Sequence, residues 1–125
     1  MADLENMAFL KLRPTEGTRL ADILSPFFCE GEKILQQYQG IRDGVVFTNK
    51  RIIAVNTQGV TGKKKMMAFL PYRSVQAYAL QSAGVLDFDS ELKLWFAGLG
   101  VVTFELASGV DIYPLGQILE QFAPS

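Results

Sequence analysis

The stretch GVVFTNKRIIAVNTQG, residues 44–59, sets two apolar, β-branched runs on either side of a polar tetrad. Residues 45–47 and 52–55 flank Thr48-Asn49-Lys50-Arg51, which is the pattern of a β-hairpin. Valine and isoleucine suit a pleated, half-buried surface, and Asn49 tolerates the left-handed conformation that a tight turn asks for. Lys50 at positive φ would cost about 1–2 kcal/mol where glycine would cost nothing. A looser turn centred on Asn49 therefore suits the sequence as well as a strict two-residue one.

Working outward, strand-length runs continue on both sides. Residues 33–39 read as a strand bounded by Gly40, residues 65–70 as one ended by Pro71, and residues 74–82 as another. Leu92, Leu94 and Phe96 alternate with Glu91, Lys93 and Trp95, and Val102, Phe104 and Leu106 alternate with Val101, Thr103 and Glu105. With Gly98-Leu99-Gly100 between them, these runs make a second hairpin, one face buried and the other partly wet. Residues 58–62 and 84–90 read as longer turns.

Helical periodicity brackets the strands. Leu20, Ile23, Leu24, Phe27 and Phe28 fall on one helical face, with Thr18 or Thr15 as cap and Pro26 stopping the helix near Ser25. Ile112, Leu115, Ile118, Leu119 and Phe122 form a second stripe, with Asp111 as N-cap and Pro114 in the first turn. Residues 1–12 show no clear period. Residues 1–17 are expected to be a loosely ordered, partly helical lead, and residues 18–125 a single domain that includes the N-terminal helix. The element order, helix, seven strands, helix, is mainly β with α. It predicts a bent antiparallel sheet, sandwich or barrel whose open end is plugged by the last helix.

Composition excludes several chemistries. The chain has 125 residues, a net charge of −1 and no histidine, so Ser-His and Cys-His catalysis and the commonest metal ligand are absent. The one cysteine, Cys29, can form neither an internal disulfide nor a thiolate zinc site, and beside Phe27 and Phe28 it is expected to be a buried, inert thiol. The charge balance does not call for nucleic acid. No run approaches the roughly 18 apolar residues of a membrane span. The expectation is a soluble cytoplasmic protein, not an enzyme and without cofactor or metal.

Several short motifs carry a resemblance. Glu30-Gly31-Glu32, Ile41-Arg42-Asp43, Val46-Phe47-Thr48-Asn49-Lys50-Arg51, Gln58-Gly59-Val60-Thr61-Gly62-Lys63-Lys64, Pro71-Tyr72, Ser90-Glu91-Leu92-Lys93-Leu94-Trp95 and Gly109-Val110-Asp111-Ile112-Tyr113 resemble the small, standalone bacterial pleckstrin-homology-like family. The resemblance runs from about residue 18 to residue 122. It implies a seven-stranded bent sheet or barrel capped by the last helix, and an interaction module with a tendency to assemble into rings.

Two further readings concern function. Lys63, Lys64 and Lys65, with Arg42 brought near by the resemblance, are the candidate site for an anionic lipid or phosphate. Against this, each lysine near an acidic membrane contributes only about 1 kcal/mol, and lysines also guard strand edges. Asp87 and Asp89 in the acidic loop read as turn formers, since a calcium loop needs more oxygen ligands and a mid-loop glycine. Finally, Trp95, Val101, Val45 or Val46, and Ile52 or Ile53 divide between two faces of the sheet. Either the N-terminal helix covers the outer apolar residues or another subunit does. The favoured reading is a self-associating homo-oligomer with an unidentified protein partner; the alternative is a lipid- or phosphate-binding domain.

Overall fold

The computed structural model describes residues 6–83 and 89–123. Its elements are β1 (Ala8–Pro14), α1 (Arg19–Leu24) running into a 3-10 turn (Ser25–Phe27), β2 (Ile34–Gln39), β3 (Asp43–Thr48), β4 (Arg51–Gln58), β5 (Lys64–Pro71), a second 3-10 turn (Tyr72–Ser74), β6 (Val75–Gln81), β7 (Ser90–Phe96), β8 (Gly100–Leu106) and α2 (Tyr113–Phe122). Most of the turn expected over residues 84–90, Asp87 included, lies outside the described residues.

The strands form one sheet in the order β5-β4-β3-β2-β1-β8-β7-β6. Every pairing is antiparallel except β1 with β8. The sheet is strongly curled. Phe47 on β3 and Phe104 on β8 stand three strand spacings apart, about 14 Å in a flat sheet, yet their ring centroids are 5.9 Å apart. The inner faces of all eight strands consequently meet in one apolar core. α2 closes that core with Leu115 and Leu119 fully buried and Ile118 7% exposed. The N-cap position is Ile112, one residue past the expected Asp111, whose Oδ1 still accepts the Tyr113 amide at 3.0 Å just ahead of the helix.

A second apolar layer lies outside the curl. Leu20 and Leu24 of α1 cover Val46 on β3 and Ile53 and Val55 on β4. Gly44 permits this, because a Cβ there would stand 2.6 Å from Leu20 Cδ2. For this half of the sheet, the outer apolar face is covered by the chain's own helix.

Three further expectations are corrected. The sheet has eight strands, because Ala8–Pro14, read as part of a loose and partly helical lead, is a strand at the middle of the sheet. Its register shifts between Phe9 and Leu12, with Lys11 at a φ of 56°. The inward residues Phe9 and Leu12 are thus three apart, and the bulge erases the alternation by which a strand is recognised. Of the two hairpin turns that suited the sequence, the strict two-residue one, Asn49-Lys50, is present, but the left-handed backbone expected at Asn49 is not: neither residue lies at positive φ. Thr48 Oγ1 accepts the amides of Lys50 and Arg51 at 3.0 Å each, which shapes the turn without left-handed backbone. Cys29 is exposed, because α1 ends at Leu24 and the 3-10 turn at Phe27, so the helical apolar stripe no longer governs orientation.

Candidate functional site

The two most distinctive motifs converge on one buried carboxylate. The Glu32 side chain has no solvent exposure. Arg51 grips it bidentately, Nε to Oε2 and Nη2 to Oε1, both at 3.1 Å. The Thr48 hydroxyl donates to Oε2 at 2.7 Å and the Cys29 amide to Oε1 at 3.0 Å. Burial on its own would push the Glu32 carboxyl up, but these donors together with the Arg51 charge hold it below the ordinary glutamate value. Arg51 also donates to Phe27 O at 2.7 Å and lies 5.0 Å above the Phe69 ring. Asn49 completes the clasp: its Oδ1 accepts from the Lys33 amide at 2.8 Å and its Nδ2 donates to Gly31 O at 3.0 Å. Glu30-Gly31-Glu32 and the hairpin tip therefore serve the fold, with their polar groups turned on one another.

The basic residues gather elsewhere, around residues 57–62. Arg42 Nη1 donates to Thr57 O at 3.4 Å and Gly59 O at 3.2 Å. Lys65 Nζ reaches Gly62 O at 3.5 Å. Lys63 is exposed just before β5, and strand alternation sends Lys64 and Lys65 to opposite faces. Lys64 and Arg42 border a shallow concavity of about 630 Å³ with Asp43 and Asn56 beside them. Asp43 is committed to structure, accepting the Leu10 amide at 2.8 Å and Asn56 Nδ2 at 2.5 Å.

The cations flank the 57–62 segment from both faces of the sheet: Arg42 and Lys64 border the concavity on one, and Lys65 lies on the other, where Arg19 Nη2 donates to Thr57 Oγ1 at 3.3 Å. Sequence reasoning did not single out Arg19. Its position in the first turn of α1 was the available signal, since a cation there opposes the helix dipole and is better satisfied elsewhere. None of these residues forms an ion pair among the described residues. The acidic loop behaves differently: Asp89 lies 2.5 Å from Lys11 Nζ, and that hydrogen bond lowers the Asp89 carboxyl and raises the Lys11 amine.

A third surface is apolar. On the outer face of the second half-sheet, Ala77 stands opposite Trp95, and Trp95 opposite Val101. Trp95 is 40% exposed. No described helix covers this row, in contrast to the outer face of β3 and β4.

The fold recurs in known proteins. A family model described as bacterial PH domain matches residues 3–123. Two relatives from Bacillus subtilis (strain 168) are similar over most of their length. The uncharacterized protein YjqA is 39% identical over 77% of this chain and 78% of its own, and the uncharacterized protein YozO is 37% identical over 79% and 80%. Among solved structures, a DUF1696 family protein with a pleckstrin-homology domain from Shewanella loihica PV-4 superimposes with a TM-score of 0.80 at 35% identity, covering 91% of this chain and 98% of that one. A pleckstrin homology domain from Shewanella amazonensis SB2B gives 0.69 at 35% identity, covering 89% and 90%.

Proposed function

The chain belongs to the bacterial PH domain family, and from that premise we propose a non-enzymatic interaction module that self-associates into a homo-oligomer. The observation that carries the reading is the uncovered row Ala77–Trp95–Val101. The same sheet buries its other outer apolar face under α1, so an exposed indole between small and β-branched neighbours is a surface suited to a second copy. An unpaired, exposed Cys29 supports a reducing, cytoplasmic setting. No described helix is long and apolar enough to cross a membrane.

Trp95 is the single tryptophan, so its emission reports on this face alone. Sedimentation is expected to give a mass that rises with concentration, with a matching blue shift of emission. Trp95→Glu is expected to leave a folded monomer. A wild-type chain that stays monomeric at high micromolar concentration would end this reading.

A second reading has its own observation. Arg19, Arg42, Lys63, Lys64 and Lys65 lie around residues 57–62 on both faces of the sheet, without carboxylate ion pairs among the described residues, and together they number within the cluster size that binds acidic lipid or phosphate. At about 1 kcal/mol per cation, replacing Lys63, Lys64 and Lys65 by glutamine is expected to weaken co-sedimentation with acidic vesicles roughly a hundredfold at low salt. Free inorganic phosphate would compete if a discrete phosphate site were responsible. Vesicle binding that ignores the triple substitution would exclude the cluster.

A further inference from the structure

We propose that the cleft between β6 and α2 takes an extended, basic-and-apolar peptide segment of a partner protein as a ninth strand. This site is separate from the Trp95 row and from the basic cluster, and the inference does not depend on self-association.

β6 is the last strand of the sheet, so one of its sides has no strand neighbour among the described residues. Apart from the Val75 amide, which donates to Tyr72 O at the start of the strand, its backbone groups make no backbone hydrogen bond outside the ladder with β7 among the described residues. Such a row of amides and carbonyls is matched by another extended chain. The two sheet edges are also built differently. β5, at the opposite edge, carries Lys64, Lys65 and Pro71, which discourage pairing. β6 reads VQAYALQ, seven residues without a charge or a proline.

The neighbouring wall selects the side chains. The cleft holds about 510 Å³. Gly116 lets α2 settle onto β6, since a Cβ there would stand 3.0 Å from Leu80 Cδ1. Leu80 forms the floor, and Tyr78 and Tyr113 the aromatic sides, with Tyr113 77% exposed. Glu120, which accepts the Tyr78 hydroxyl, is the one carboxylate of the lining, and the lining contains no lysine or arginine. The complementary occupant is therefore an extended stretch that places an apolar residue over Leu80 and a lysine or arginine beside Glu120.

The test pans a phage-displayed library of random nonapeptides against the full chain. The expected winners alternate apolar residues with lysine or arginine and avoid proline. A synthetic winner should shift amide resonances in β6 and α2, and N-methylation of its alternate residues should abolish binding. Glu120→Lys should weaken that peptide about tenfold, and Tyr113→Ser, an exposed change outside the core, should weaken it in the same direction. Absence of enrichment, acidic or proline-rich winners, shifts confined to the basic cluster, or affinity indifferent to both substitutions would overturn the proposal. So would protection of β6 amides that grows with protein concentration in the absence of peptide, which would assign the cleft to a second copy.

Discussion

Arg51→Ala is expected to destabilise the protein by about 3–5 kcal/mol. The loss comes chiefly from Glu32, whose buried side chain would keep the Thr48 and Cys29 hydrogen bonds but lose its bidentate cation. The pH dependence identifies the cause. In the wild type the Glu32 carboxyl is held below its ordinary value. Its contribution is thus complete above the unfolded-state pKa of roughly 4.3 and is lost as pH falls through the lower folded value. In Arg51→Ala the Thr48 and Cys29 hydrogen bonds still oppose the desolvation of Glu32, but the Arg51 bonds and charge are gone, so the folded pKa rises and less stability is lost on acidification than in the wild type. Urea unfolding at neutral and mildly acidic pH measures the two slopes. Replacing the pair together, Glu32→Leu with Arg51→Met, should cost far less than the single change, because no charge is stranded. A single-variant loss below about 1 kcal/mol would show that the pair behaves as a surface ion pair.

Gly40→Ala is expected to displace β1 and to cost about 3 kcal/mol or more. The added Cβ would stand 2.5 Å from Leu10 O and 3.2 Å from Lys11 O. Both neighbours are backbone, so no rotamer change relieves the clash. Moving the bulge outward breaks the Leu10 amide bond to Asp43 Oδ2, leaves that carboxylate underpaired, and lifts Phe9 and Leu12 from the core. Hydrogen exchange should show β1 amides losing protection first. Gly17→Ala is the control, since its nearest neighbour would be Thr15 Oγ1 at an ordinary 3.4 Å, and near-neutral behaviour is expected there. Equal effects at the two glycines would show that steric approach at Gly40 is not the cause.

What the sequence disclosed divides along physical lines. Strands with unbroken alternation could be read directly, and β7 shows why: Leu92, Leu94 and Phe96 point inward and Trp95 outward. β3 and β4 were legible as strands, but not in which structure covered them, because apolar residues on both faces carry no record of the covering element. β1 was illegible because one left-handed lysine resets its period. The Glu32–Arg51 pair was likewise hidden, since its 19-residue separation corresponds to no helical or strand spacing. Of the candidate anion site, the lysines were visible as a run and Arg42 by resemblance. Arg19 reaches the same segment only through the packing of α1 over β4.

The parallel partnership of β1 with β8 has a kinetic corollary. The first strand in chain order docks against the last, with the bond from the Val101 amide to Asn6 Oδ1 spanning 95 residues. A ribosome must therefore finish β8 before β1 can settle between its two neighbours. Until then Phe9 and Leu12 lack half their seat, so the closing event belongs to the slow, high-contact-order end of folding. A nascent chain stalled before residue 100 would hold the β2–β5 meander beside an unoccupied slot.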